Sequence, residues 1–129
     1  MEILKTSEFA ELQREAWQTC EDKGFHEPRI REGVLRKVTP MENLALIAGE
    51  VGEAIGDYQK YADLSVRYEP TSDVSVQSGL KPEGVPVELA DVVIRILEFC
   101  ENYEIDFYQV LRMKMDYNKT RPRMHGKKM

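Results

Sequence analysis

Residues 87–103 read VELADVVIRILEFCENY, and this stretch limits the possible folds more than any other. Val87, Leu89, Ala90, Val92, Val93, Ile94, Ile96, Leu97 and Phe99 cover nearly the whole circumference of a helix, so other elements have to surround it. The polar residues Glu88, Asp91, Arg95 and Glu98 fall on one narrow strip. Three further helical segments are available as neighbours. The first runs from about residue 7 to 23, with Phe9, Leu12, Ala16 and Cys20 in one stripe and Gly24 as its stop. The second opens on Thr39 as N-cap, Pro40 in the first helical position and Glu42 completing a capping box. Its apolar stripe continues through Leu44, Ile47, Ala48, Val51, Ile55 and Tyr58. The last begins at Asp106, with Gln109 closing the cap, and ends before Pro122. The pattern predicts an all-α, four-to-five-helix bundle.

Two stretches fall outside these helices. Residues 25–38 show no clear period and read as a connection. Residues 64–86 hold three prolines, two glycines and five Ser/Thr, which predicts an excursion loop, with a short hairpin around Val74–Val76. The chain has 129 residues, one domain's worth, so residues 1–129 are read as a single domain. No apolar run approaches the ~20 residues that span a bilayer, and the first residues lack a signal-peptide core, which argues against a membrane partner and for the cytoplasm. Cys20 and Cys100 have no metal-ligand spacing and read as reduced thiols. Residues 1–111 carry 11 basic against 22 acidic side chains, whereas residues 112–129 carry 7 against 1. An acidic body with a short basic tail (122–129) does not suit nucleic acid. It suits a small polyanion that arrives with its own metal, or simply a solvated tail.

The acidic residues are ordered. Glu50 and Glu53, with Asp57 one turn on, project from one helical face. Gly49, Gly52 and Gly56, with Ala45, line another side of that helix. Each glycine costs about 1 kcal/mol of helix propensity relative to alanine, so the trio predicts close approach of a neighbouring helix. Glu88 and Asp91 form a second pair on the otherwise apolar helix, where carboxylates need compensation. Arg95, one turn from Asp91, is one source. A divalent cation shared with Glu50 and Glu53 is the other, and oxygen-only ligands select Mg²⁺ or Mn²⁺. On the last helix Lys114 and Asn118 lie within the apolar sector of Phe107, Val110 and Leu111, with Arg121 one turn on. Carboxylates on two helices with a cationic row on a third describe a metal–phosphate site.

Three stretches, LALIAGEVGEAI (44–55), GVPVELADVVIRILEFC (84–100) and KMDYNKTRPRMHGKK (114–128), resemble the MazG-like nucleotide pyrophosphohydrolases, an all-α superfamily. The resemblance implies that Glu50, Glu53, Glu88 and Asp91 hold Mg²⁺, and that Lys114, Asn118 and Arg121 contact a triphosphate. It implies the reaction NTP + H₂O → NMP + PPi, for NTP or dNTP substrates, by water attack at the α-phosphorus and in the service of nucleotide-pool house-cleaning. Glu50 or Glu53 then takes the proton. Trp17 and His26 are candidates to flank the base, or else a core residue and a loop residue. The gap between Glu53 and Glu88 is longer than the family's usual spacing. A homodimer or homotetramer is expected, because the third helix and the small-residue face of the second exceed what one layer of helices can cover. The competing readings are a non-catalytic helical interaction or regulatory module, and a related dUTPase or phosphoribosyl-ATP pyrophosphohydrolase.

Overall fold

A computed structural model describes the backbone of residues 2–126 and the side chains of residues 8–124. Four helices carry most of it: α1 (Glu2–Asp22), α2 (Pro40–Tyr61), α3 (Val85–Asn102) and α4 (Phe107–Thr120). Two antiparallel hairpins are inserted between them. Strand β1 (Arg29–Arg31) pairs with β2 (Val34–Arg36) ahead of α2, and β3 (Arg67–Pro70) pairs with β4 (Leu80–Glu83) between α2 and α3. The chain is therefore mostly helical but not purely so.

The helix ends follow the capping chemistry of the sequence. The Thr39 hydroxyl accepts the Glu42 amide at 3.2 Å, and the Glu42 carboxylate reaches back to the Thr39 amide at 3.4 Å. Asp106 accepts the Gln109 amide at 3.2 Å at the start of α4. Gly24, with φ +80°, turns the chain out of α1 while the Phe25 amide returns to the Cys20 carbonyl at 3.0 Å.

Residues 25–38 are not a plain connection. Ile30 lies opposite Leu35, and Glu32 (φ 51°) and Gly33 (φ 74°) make the two-residue left-handed turn that right-twisted strands prefer. In the 64–86 excursion the strands lie outside the expected place. Arg67 faces Glu83 and Pro70 faces Leu80, so Val74–Val76 sits in the connecting loop. The hairpin runs into α3 through Gly84. Its φ is +123°, and a Cβ there would lie 2.5 Å from the Ser65 carbonyl oxygen, so no other residue fits without backbone movement.

Helix α3 is the centre, packed on α1 and on α2, while α4 leans on α1 with Phe9 against the rings of Phe107 and Tyr108. Gln13, buried on α1, ties α1 to the α3–α4 corner by donating to Glu101 Oε1 and to the Ile105 carbonyl. Both thiols are free, Cys100 buried and Cys20 half-buried, and burial pushes both upward in pKa.

Two packing expectations are corrected. Among the described residues nothing comes within 4 Å of a Cβ built on Gly49, Gly52 or Gly56, so no neighbouring helix approaches that face. Helix α3 is not covered all round either: Leu89 and Val93 are each 50% exposed, and Ile94 is 43% exposed. Only Ala54, Leu97 and Cys100 are fully withdrawn apolar residues among those described. The chain exposes 10176 Å². A compact monomer of 14.9 kDa exposes about 7,000 Å². No helix among the described residues is long and apolar enough to cross a membrane. The basic tail is described only through a 3₁₀ turn at Arg123–Gly126, and Lys127 and Lys128 lie outside the described residues.

Candidate functional site

The packing of α2 on α3 brings the two acidic pairs together. Carboxylate oxygens of Glu50, Glu53 and Glu88 all lie within 4.8 Å of one another. Asp91 stands beside this group rather than within it, and burial first, then the charge of Glu50, raises its pKa. Burial, followed by a hydrogen bond to and the charge of Glu53, pushes Glu88 up to about 7. Glu88 Oε2 is shielded from solvent and has no hydrogen-bond partner among the described residues.

Arginines frame the cluster in pairings that helical spacing alone did not give. Arg95 reaches across to α2, its Nε donating to Glu50 Oε1 at 2.7 Å, while its charge also lowers the pKa of Asp91. Asp57 is withdrawn from the acidic face. Arg67 of β3 grips it with Nη2 at 2.7 Å and Nη1 at 3.4 Å, and the guanidinium lies 4.0 Å over the Tyr61 ring. Lys81 of β4 pairs with Glu83 at 3.1 Å and is close enough to Asp91 to lower its pKa. The β3–β4 hairpin thus delivers cations to the acidic end of the helices. Composition marks the segment as an excursion with a hairpin around Val74–Val76, but strand register decides which side chains arrive there, and the register pairs 67–70 with 80–83.

Two cations of the expected row, Lys114 and Arg121, gather over Tyr117. Lys114 is exposed with Nζ 4.9 Å over the Tyr117 ring, and Arg121 lies 5.7 Å from the same ring. Asn118 Oδ1 is shielded from solvent without a hydrogen-bond partner among the described residues. Trp17 and His26 do come together, but on each other: their rings stack at 5.0 Å. Trp17 Nε1 donates to Asn102, and the two His26 nitrogens meet Glu21 and Glu98.

A cavity of about 770 Å³ adjoins the cluster, walled by α1, the β1–β2 hairpin, α2 and α3. Glu50 and Asp91 belong to its lining, so a ligand in the cavity meets the carboxylates directly. No family model, curated protein or solved structure matches the chain.

Proposed function

We propose that the chain is a Mg²⁺- or Mn²⁺-dependent nucleoside triphosphate pyrophosphohydrolase of the MazG-like kind, acting on NTPs or dNTPs in the cytoplasm. The observation that carries the reading is the carboxylate group of Glu50, Glu53 and Glu88, joined from two helices, in which one buried Glu88 oxygen lacks a protein partner. Its donors fit a hard divalent cation: they are oxygens only, and three acids in such proximity repel unless a cation or shared protons relieve them. Glu50, Glu53 and Glu88, with Asp91 alongside, would hold it. Such a cation supplies neutralisation of the phosphates and a lower pKa for the attacking water.

The protein's own residues account for the rest. A new bond forms between the water oxygen and the α-phosphorus, the bond from that phosphorus to the α–β bridging oxygen breaks, and pyrophosphate leaves. The water proton passes to a carboxylate. Glu50 is committed to Arg95, whereas Glu53 is exposed and already shares a hydrogen bond with Glu88, so Glu53 is the better-placed base. Lys81 is a nearby cation for the phosphates in the same chain. Lys114, Asn118 and Arg121 fit the reading through assembly, as α4 of a partner copy closing over the site. The large exposed surface and the open glycine face of α2 support a homodimer or homotetramer. A non-catalytic helical module would explain the Arg95–Glu50 and Arg67–Asp57 pairs, but not the unpartnered Glu88 oxygen.

Pyrophosphate release from a panel of NTPs and dNTPs, with and without Mg²⁺, tests the proposal. Cation-dependent release with NMP as the other product is expected. No release from any member of the panel overturns it, and a response confined to dUTP or to phosphoribosyl-ATP reassigns the substrate.

A further inference from the structure

The polar strip of α3 continues past the carboxylate cluster to Glu98, which the chemistry described so far does not use. Asp91, Arg95 and Glu98 lie on one face and all line the same cavity. Glu98 follows Asp91 by seven positions, so along the helix axis they stand about 10 Å apart. That is comparable to the reach of a nucleotide from its α-phosphate across the sugar to the outer edge of the base.

Glu98 is buried on the cavity wall and held there by a side-chain partner. It is only 8% exposed on a helix whose apolar residues Leu89, Val93 and Ile94 remain open to solvent. Its Oε1 meets His26 Nε2; the opposite ring nitrogen, Nδ1, lies 3.2 Å from Glu21, and Trp17 stacks on the imidazole. The carboxylate is therefore fixed in direction with one oxygen engaged. The carboxylate lines the cavity, where donors of a ligand can reach it.

Resting on the pyrophosphohydrolase reading, we propose that Glu98 reads the base of the nucleotide and selects guanine. A carboxylate only accepts hydrogen bonds. Guanine presents two adjacent donors, the N1–H and the 2-amino group; Oε2 can accept one, and Oε1, which keeps a second lone pair beside His26, can accept the other. Uracil and thymine present a single N–H between two carbonyl oxygens, which a carboxylate repels. Adenine and cytosine each offer one exocyclic amino group and rank between. Phe25, half-exposed on the cavity wall, offers a ring face on which a base can stack. Arg95, between Asp91 and Glu98 on the helix, also lines the cavity while its Nε donates to Glu50, which puts a cation along the span that the phosphate and sugar would cross.

The test is kcat/KM for GTP, ITP, ATP, CTP, UTP and dTTP, first with the unaltered protein in Mg²⁺. GTP should exceed UTP and dTTP by about tenfold or more, and ITP, which lacks only the 2-amino group, should fall several-fold below GTP. Glu98→Gln should bring the GTP/UTP ratio toward one. Equal efficiency for all bases in the unaltered protein overturns the assignment, as does a Glu98→Gln variant that lowers every substrate in equal proportion. If Glu98→Gln does not fold, the GTP/ITP comparison decides alone, because it needs no variant. If no triphosphate is hydrolysed, the pyrophosphohydrolase reading fails, and calorimetric binding of GMP against UMP decides the base assignment separately. Preference for GMP sustains it, and equal or absent binding overturns it.

Discussion

Arg95 Nε and Glu50 Oε1 lie 2.7 Å apart, joining α3 to α2 at the edge of the carboxylate cluster. A guanidinium there relieves part of the repulsion that a divalent cation would relieve completely, so the two compete for Glu50. Replacing Arg95 with methionine keeps the stem and removes the charge. In chelator the variant should be less stable by about 1–2 kcal/mol, since Glu50 is left without its counter-ion in a partly buried site. Mn²⁺ should then raise the Tm of Arg95→Met by more than it raises that of the parent. Thermal melts with and without Mn²⁺ check this, and a smaller Mn²⁺ effect in the variant would show that Arg95 assists the cation instead.

The second prediction follows from the sign of the Glu88 shift. Burial and the neighbouring Glu53 lift its carboxyl from the ordinary 4.5 to about 7. A folded-state value above the unfolded one means that the contribution to stability is fully present below 4.5 and is lost as pH rises through 7. In chelator the Tm should therefore drift downward across that window, and Glu88→Gln should flatten the drift. Ligation requires the deprotonated acid, so Mn²⁺ affinity should climb over the same window with release of a proton. Calorimetry in buffers of different ionisation enthalpy measures that proton directly.

Gly84 allows a third test, of the fold around the site. Any side chain there collides with the Ser65 carbonyl and is strained at φ +123°. Gly84→Ala should cost about 2–4 kcal/mol in urea unfolding. Because the Glu88 amide donates to the Gly84 carbonyl at 3.0 Å, the same change should also weaken Mn²⁺ binding. Gly79 (φ +71°) has open space at its Cβ position and serves as the control, with a loss of only about 1 kcal/mol.

What could be read from the sequence divides by the range of the interaction. Thr39–Glu42 and Asp106–Gln109 were legible because each cap is closed within three residues. Glu50 with Glu53, and Glu88 with Asp91, were legible because helical geometry fixes their spacing. The β1–β2 hairpin carries one local signal, the Glu32-Gly33 pair between two short β-branched or leucine-containing stretches, which is weak because neither strand has a buried face. The partners of Arg95 and Arg67 were not legible. Helical spacing favoured Asp91 for Arg95, yet interhelix packing gives it Glu50, and only the path of β3 carries Arg67 to Asp57. The open faces of α2 and α3 belong to a further level, since one chain's pattern does not say whether a helix is covered by itself or by a copy.

Assembly is the fourth expectation. Leu44, Val51, Ile55 and Tyr58 are exposed along the helix that carries the open glycine face. Light scattering should give at least twice the 14.9 kDa chain mass at micromolar concentration. Ile55→Glu, which places a charge on that surface, should shift the distribution toward the monomer. A parent protein that scatters as a monomer removes the role assigned to a partner's α4.

That role has its own test at Lys114, which is exposed and rests over Tyr117 within its own chain. Lys114→Met gives up a solvent-exposed cation–π contact worth about 0.5–1 kcal/mol, so stability should barely change. If Lys114 meets the phosphates, one charge-assisted contact is lost, and kcat/KM should fall roughly 10- to 150-fold. Asp91→Asn, at nearly constant volume, should lower turnover by orders of magnitude while leaving the fold intact. Mixing the two variants after reversible dissociation then separates the arrangements. If α4 acts across the interface of a dimer, each mixed dimer places both defects in one site and leaves the other site unaltered. Random pairing makes half the dimers mixed, so activity should recover to about a quarter of the parent's. If Lys114 serves the carboxylates of its own chain, every site keeps one defect, and the mixture should show only the average of its components.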